Sequence, residues 1–390
     1  MAFDFDTVND RRETHSMKWD ELENRFNVTD ENAVAMWVAD MEFLPPPAVN
    51  DALKAAADHG IHGYYGDDTS FRKALVGWMK RRHDWDVDPA WPIQTHGLVN
   101  AVSVCLQVFT QPGDGIIVFS PVYYAFMRVI EANDRRVVYS HMDERDNRFH
   151  MDLEALQASL TGTEKILILC SPHNPGGQLW SVEELRDIAD FCVRNDILLI
   201  SDEVHNDLVM PGYKHHVLAK VAPQANSHLI TLAATTKTFN IAGCAVGSMI
   251  VADEKLRSAL QHGCLAGGIL PNKFGMLMAE AAYLHGDEWL DALMEYLDGN
   301  RQVINAAIAD IPGLSVMDLQ ATYLTWVNFS GTGMAKEDFL KRVNDAGLVP
   351  QLGEPFGPGG EDCLRFNIAC SRSVLVDAMD RLAKAFSDLQ

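Results

Sequence analysis

Between about residue 93 and residue 251 the chain keeps returning to one pattern: a short apolar run, a turn, then a helical stretch. The runs fall at 116–119, 136–140, 165–170, 197–201, 229–233 and 245–251. Most are dense in Ile, Val and Leu and show little polar alternation, so they read as strands buried on both faces. Helical segments lie between several of them. The one at 181–195 opens with Ser181-Val-Glu-Glu184, the spacing of a capping box. Strands alternating with helices predict an α/β fold with a mostly parallel sheet sandwiched by helices. Open sheets of that kind place their ligands at the carboxyl ends of the strands. The residues just after each apolar run are therefore where chemistry is to be sought.

The remaining chain is organised around that centre. The first fifty residues read as irregular, and Pro45-Pro-Pro47 blocks a helix until Ala48. A helical pattern follows to about His59. Gly60-Ile-His-Gly-Tyr-Tyr-Gly66 reads as a turn whose aromatics need cover from something. Past Asp287 the character changes to a long helix, strands at 314–317 and 323–329, a helix over 336–346, a strand at 364–369 and a last helix from Val374. The expected division is a large domain over 48–287 and a smaller α+β domain from 1–47 with 288–390.

Composition narrows the partners. With 32 basic against 54 acidic residues the net charge is −22, which argues against nucleic acid or an anionic membrane. No apolar run approaches the ~20 residues that span a bilayer. The seven cysteines are odd in number and form no CxxC, as expected of free thiols in a reducing compartment. The opening Met1-Ala-Phe-Asp-Phe-Asp6 has neither a basic stretch nor an apolar one, so a cytoplasmic protein is expected.

Six groups stand at strand ends or in strands. Lys237 directly follows the run at 229–233; a lysine there is either a loop residue or a desolvated amine able to act as a nucleophile. Asp202 ends the run at 197–201, with Glu203, His205 and Asp207 behind it. A carboxylate at a buried strand tip needs a cation or strong donors, and a helix cap, an ion pair or a metal site would each satisfy it. Ser171-Pro-His-Asn-Pro-Gly-Gly177 presents Asn174 on a stiff turn. Thr95-His-Gly-Leu-Val-Asn100 precedes the apolar helix 101–109; free N–H groups at such a helix start can seat a phosphate, although many helices begin with a glycine. Tyr123 follows the run at 116–119 and suits a flat ring or a core. Arg365, in Cys363-Leu-Arg-Phe-Asn-Ile-Ala369, reads as a half-buried guanidinium in want of a carboxylate.

Taken along the chain, a strand, Gly97 and a helix, then Tyr123, Asn174-Pro, Asp202, Lys237 and Arg365, these pieces resemble the aspartate-aminotransferase fold of pyridoxal-phosphate (PLP) enzymes. Trp37-Val-Ala-Asp-Met-Glu-Phe43, His173-Asn-Pro175, Ser201-Asp-Glu-Val-His205, Lys237-Thr-Phe-Asn-Ile-Ala-Gly243, Ala321-Thr-Tyr-Leu-Thr-Trp326 and Leu364-Arg-Phe-Asn-Ile-Ala369 resemble its cystathionine β-lyase, or cysteine-S-conjugate β-lyase, branch. The resemblance implies that Lys237 holds PLP as a Schiff base and shuttles the substrate α-proton. It implies that Asp202 keeps the pyridine nitrogen protonated, so that the ring is an electron sink. Asn174 would bond the ring oxygen with His205 nearby, and Tyr123 would stack on the ring. Gly97, Leu98 and Val99 would bind the phosphate, helped by Thr235 or Thr236. Tyr64 would arrive from the neighbouring subunit of a homodimer, and Arg365 would take the α-carboxylate of an amino-acid substrate. Where aminotransferases carry a phosphate-binding arginine downstream of the lysine, this chain has Ala245 or a close neighbour, an absence the lyase branch shares. Against that, it departs from the family pattern at Gln178, Asn100 and Asp362-Cys363, which touch pocket walls more than the chemistry. An aminotransferase on the same residues, and a PLP-fold regulator of a partner protein, are the other functions such a chain admits.

Overall fold

The computed structural model describes residues 3–389; Met1, Ala2 and Gln390, which the expected small domain includes, lie outside it. Seven strands form the larger sheet in the order Pro92–Thr95, Gly247–Ile250, Leu229–Ala233, Leu198–Asp202, Glu164–Cys170, Gly115–Ser120, Arg136–His141. The last five run parallel, while Gly247–Ile250 is antiparallel to both of its neighbours. Alternate residues of the central strands enter two different cores. Ile116, Val118, Ile168, Ile200 and Ile230 pack on one face, and Ile117, Phe119, Leu167, Leu169 and Leu199 on the other. Each such side chain contributes roughly 1.5–3 kcal/mol on burial. A slip of one residue would exchange the two sets, so packing fixes the register and with it the strand tips.

The sequence pattern missed Pro92–Thr95 as a strand. It is an edge strand, where a proline at the first position removes no needed donor. A second sheet, in the order Val34–Met36, Leu348–Leu352, Cys363–Asn367, Leu324–Asn328, Ser315–Val316, joins the early chain to the late one. The first fifty residues are therefore less irregular than expected. They hold two short helices, Met17–Asp20 and Leu22–Phe26, and the strand Val34–Met36. The next helix begins at Pro47 rather than Ala48, because the first helical position has no use for an N–H. The capping box at Ser181 and Glu184 is present, and no helix among the described residues is long and apolar enough to cross a membrane.

Candidate active site

Parallel strands present their tips along one edge of the sheet, and the expected residues gather there. Tyr123 and Asn174 follow strands ending at Ser120 and Cys170, Asp202 is itself a strand's last residue, and Lys237 lies in the short turn Thr235–Thr238 after Ala233. Gly97 and Thr235 share this edge because Thr95 pairs with Gly247 and Ala233 with Ser248, on opposite sides of one strand. Gly97 adopts φ 83° and caps the helix Leu98–Phe109, whose first N–H groups have no intrahelical acceptor. A side chain on Gly247 would run into Leu98 Cδ2 at 2.5 Å, so that glycine lets the helix start approach the sheet.

The charged groups at this edge are poorly matched inside the chain. Asp202 is buried, and its one hydrogen-bond donor is the Val204 N–H at 3.1 Å. Among the described residues no ion pair reaches it, so burial raises its pKa to about 7 against the pull of Val204 and, more weakly, Lys237. Lys237 is half-buried, and its amine is lowered to about 8, by desolvation first. Its Nζ donates to the Ala39 carbonyl at 2.7 Å. Arg365 is fully buried rather than half-buried, and it finds no carboxylate. Nη1 donates to Asn174 Oδ1 at 3.0 Å and Nη2 to the Trp37 carbonyl at 2.7 Å, while Nε has no partner. His205 is buried with Nδ1 unpartnered, and desolvation, then Lys237 and Arg365, holds it neutral. Burial raises Tyr123 to about 12.

Such a set fits a bound group that is itself cationic at one atom, anionic at another and reactive toward an amine. Asp202 lacks a cation, Arg365 lacks an anion, and the buried Thr235 hydroxyl beside the free helix start lacks any partner. These are the open valences that PLP and an amino-acid carboxylate would close. The other sequence candidates fall elsewhere. Glu203 bonds Ser201, the Leu218 N–H and His215, and Asp207 bonds Trp78, His83 and Thr238, so the four groups considered for a metal have separate surroundings. His173 is packed between Phe149 and Trp180. Gln178 is spent on both backbone groups of Phe149. Tyr64 is 93% exposed on the irregular stretch before Thr69. Thr236 is half-buried and Val99 is 37% exposed.

Residues 37–43 carry part of the family resemblance but no expected role. They form a strap in which seven consecutive carbonyls each accept from a side chain elsewhere. Trp37 O takes Arg365, Val38 O takes Asn367, and Ala39 O takes both Lys237 and Tyr323. Asp40 O takes Asn367 and Lys18, Met41 O takes Arg11 and Asn240, Glu42 O takes Asn9, and Phe43 O takes Asn240. Phe356, also unforeseen, lies under the Arg365 guanidinium at 5.0 Å. It comes from a Gly- and Pro-rich loop with no periodic signal.

The family described as aminotransferase class I and II matches residues 34–382, almost the whole chain. The chain belongs to that family. Among curated class I and II relatives, cystathionine beta-lyase PatB of Bacillus subtilis is 38% identical, over 98% of this chain and 100% of its own. Among solved structures of the family, cystalysin from Treponema denticola, which contains pyridoxal 5'-phosphate, has a TM-score of 0.95 at 34% identity over 100% of both chains. A PLP-bound C-S lyase from Staphylococcus hominis has a TM-score of 0.91 at 28% identity, over 99% of this chain and 98% of its own.

Proposed function

We propose that this class I and II family member is a PLP-dependent C–S β-lyase that cleaves cystathionine or another L-cysteine conjugate to a thiol, pyruvate and ammonia. The observation that carries the proposal is the set of open valences at Asp202, Arg365 and Thr235 around the desolvated Lys237 amine, in a chain alike over its full length to proteins named for that chemistry. When bound, PLP supplies a sink for the electron pair left at the substrate Cα.

The chain's own groups do the rest. Arg365 receives the substrate α-carboxylate on its fork, with Asn174 bracing Nη1. Asp202 accepts from the ring nitrogen, and a carboxylate costly to ionise alone is stabilised by that cation. Tyr123 would lie against the ring, and the N–H groups of Gly97, Leu98 and Val99, with Thr235 or Thr236, would hold the phosphate. Lys237 Nζ removes the Cα proton, which its lowered pKa suits near neutral pH. The pair from the Cα–H bond then forms Cα=Cβ as the Cβ–S bond breaks and the thiolate leaves. The enamine takes up water to give pyruvate and ammonia.

The reading extends to assembly. Tyr64 and Ile61 are 93% and 70% exposed, and Leu270, bound through its carbonyl to His96 at the phosphate seat, is 57% exposed. A second copy of the chain would cover them and bring Tyr64 to its neighbour's phosphate seat. The division at 47/48 and 287/288 and a cytoplasmic location belong to the same proposal. Pyruvate released from cystathionine without added keto acid is the expected result. Keto-acid-dependent turnover in its place would mean an aminotransferase. A protein that takes up no PLP, or whose borohydride label is absent from Lys237, would end the whole reading.

A further inference from the structure

We propose that Tyr323 is a positioning residue for Lys237: its hydroxyl, donating to the same Ala39 oxygen as the lysine, favours the neutral, nucleophilic amine. The inference rests on the reading of Lys237 as the reactive amine. Two side chains from distant parts of the sequence share one carbonyl, Lys237 Nζ at 2.7 Å and Tyr323 Oη at 3.0 Å. Tyr323 is fully buried, and its ring stands edge-on to His205 at 6.0 Å, so the hydroxyl is held in place.

An ammonium has three hydrogens to satisfy, and a carbonyl oxygen has two lone pairs. Here one of those lone pairs is committed to a neutral donor. The phenolic O–H also points its positive end at the atom beside the amine. Both effects disfavour a third charge-bearing hydrogen on Nζ and favour the free amine, which has two hydrogens rather than three to satisfy and no charge to solvate.

The charged groups around Nζ do not undo this. Asp40, from the strap, favours the ammonium, but its carboxylate is held by Arg11 at 3.1 and 2.6 Å and by Lys18 at 3.6 Å. Asp202, from the tip of its strand, also favours the ammonium, and burial holds back its own ionisation. Arg365, from the second sheet, and His205, after Asp202, face the same space; Arg365 opposes the ammonium and His205 is neutral. The hydroxyl of Tyr323 is an element of this environment that a single substitution removes without moving a charge.

The test is competitive labelling of the PLP-free protein with acetic anhydride across pH, reading acetylation of the peptide that carries Lys237. Tyr323→Phe keeps the ring and removes the hydroxyl. Its labelling midpoint is expected to rise, so that acetylation at pH 7 falls about threefold to tenfold while the alkaline plateau is unchanged. Installing 3-fluorotyrosine at 323, a stronger donor, should move the midpoint the other way. An unchanged or lowered midpoint in Tyr323→Phe, or a lowered plateau at the same midpoint, overturns the proposal. The rate of PLP capture against pH should follow the same midpoint. If labelling shifts while PLP never attaches to Lys237, the cofactor reading fails and the role of Tyr323 stands.

Discussion

Asp202 and Asp207 are both buried on one short stretch of chain, yet their circumstances are opposite. Asp207 has three side-chain donors, Trp78 Nε1 at 3.0 Å, His83 Nε2 at 2.7 Å and Thr238 Oγ1 at 2.9 Å. Burial alone would raise its pKa, but these bonds, His83 foremost, bring it below the usual carboxylate range. Asp202 has a single backbone donor and is raised to about 7, chiefly by desolvation. Two lysines repeat the contrast. Lys18, fully buried, has Glu42 at 2.5 Å and Asp40 at 3.6 Å; Lys237 has a carbonyl it must share. Groups that serve the fold are satisfied within the chain, whereas groups at the strand tips are left for something else to satisfy.

Substitution can break this contrast in steps. The largest effect is expected from Lys237→Ala, which removes both the attachment point and the base and should lower lyase turnover by about 10⁴-fold, with the borohydride label lost. Asp202→Asn cannot hold a positively charged ring nitrogen and should lower kcat by about 10²-fold with KM little changed.

The same substitution has a second signature in the PLP-free chain. An acid whose folded pKa is raised binds its proton more tightly when folded, so stability falls as pH climbs from about 4 toward 7. Asp202→Asn removes that loss, and thermal or urea unfolding should find it more stable than wild type at pH 8 and little different at pH 4. Asp207 has the opposite sign. Its contribution is complete above the ordinary aspartate range and disappears as pH drops through its lowered folded pKa.

Arg365→Lys keeps the charge and loses the fork. Two charge-assisted bonds reduced to one should raise KM for the amino acid about tenfold to a hundredfold, with a smaller change in kcat. The smallest effect on turnover is expected from Asp207→Ala. It should destabilise the chain by about 3–5 kcal/mol, since three buried donors lose their acceptor. Its folded fraction should still take up PLP. If Asp207→Ala instead matches Asp202→Asn in kcat and leaves the melting curve unmoved, the division between satisfied and unsatisfied groups is wrong.

The parallel strands were legible because apolar runs flanked by turn residues have few other fates, and the tips of those strands carried Tyr123, Asn174, Asp202 and Lys237 with them. The short strands Val34–Met36 and Leu348–Leu352 were not legible. The first has three residues, the second contains Pro350, and they exist because they pair with each other across more than three hundred positions. Arg365 was visible as a charge in an apolar run. Its full burial and its two bonds, to Asn174 and to Trp37, depend on partners that the sequence does not show to be near. The strap was hidden for a plainer reason. Its contribution is made by backbone carbonyls, which every residue has, so no choice of side chain along 37–43 announces it.

The strap also fixes when the site can be finished. Residues 37–43 are bonded to Lys237, Asn240, Tyr323, Arg365 and Asn367, which lie some 200 to 330 positions further along the chain. Contacts of such separation close late, because the loop entropy is lost before they return anything. Until those loops close, the carbonyls of Val38 and Asp40 lack the Asn367 amide they have in the folded protein, and Arg365 lacks the Trp37 carbonyl. Ordering of the seven-stranded sheet therefore leaves the bond from Arg365 to the Trp37 carbonyl still to be made, across 328 positions of chain.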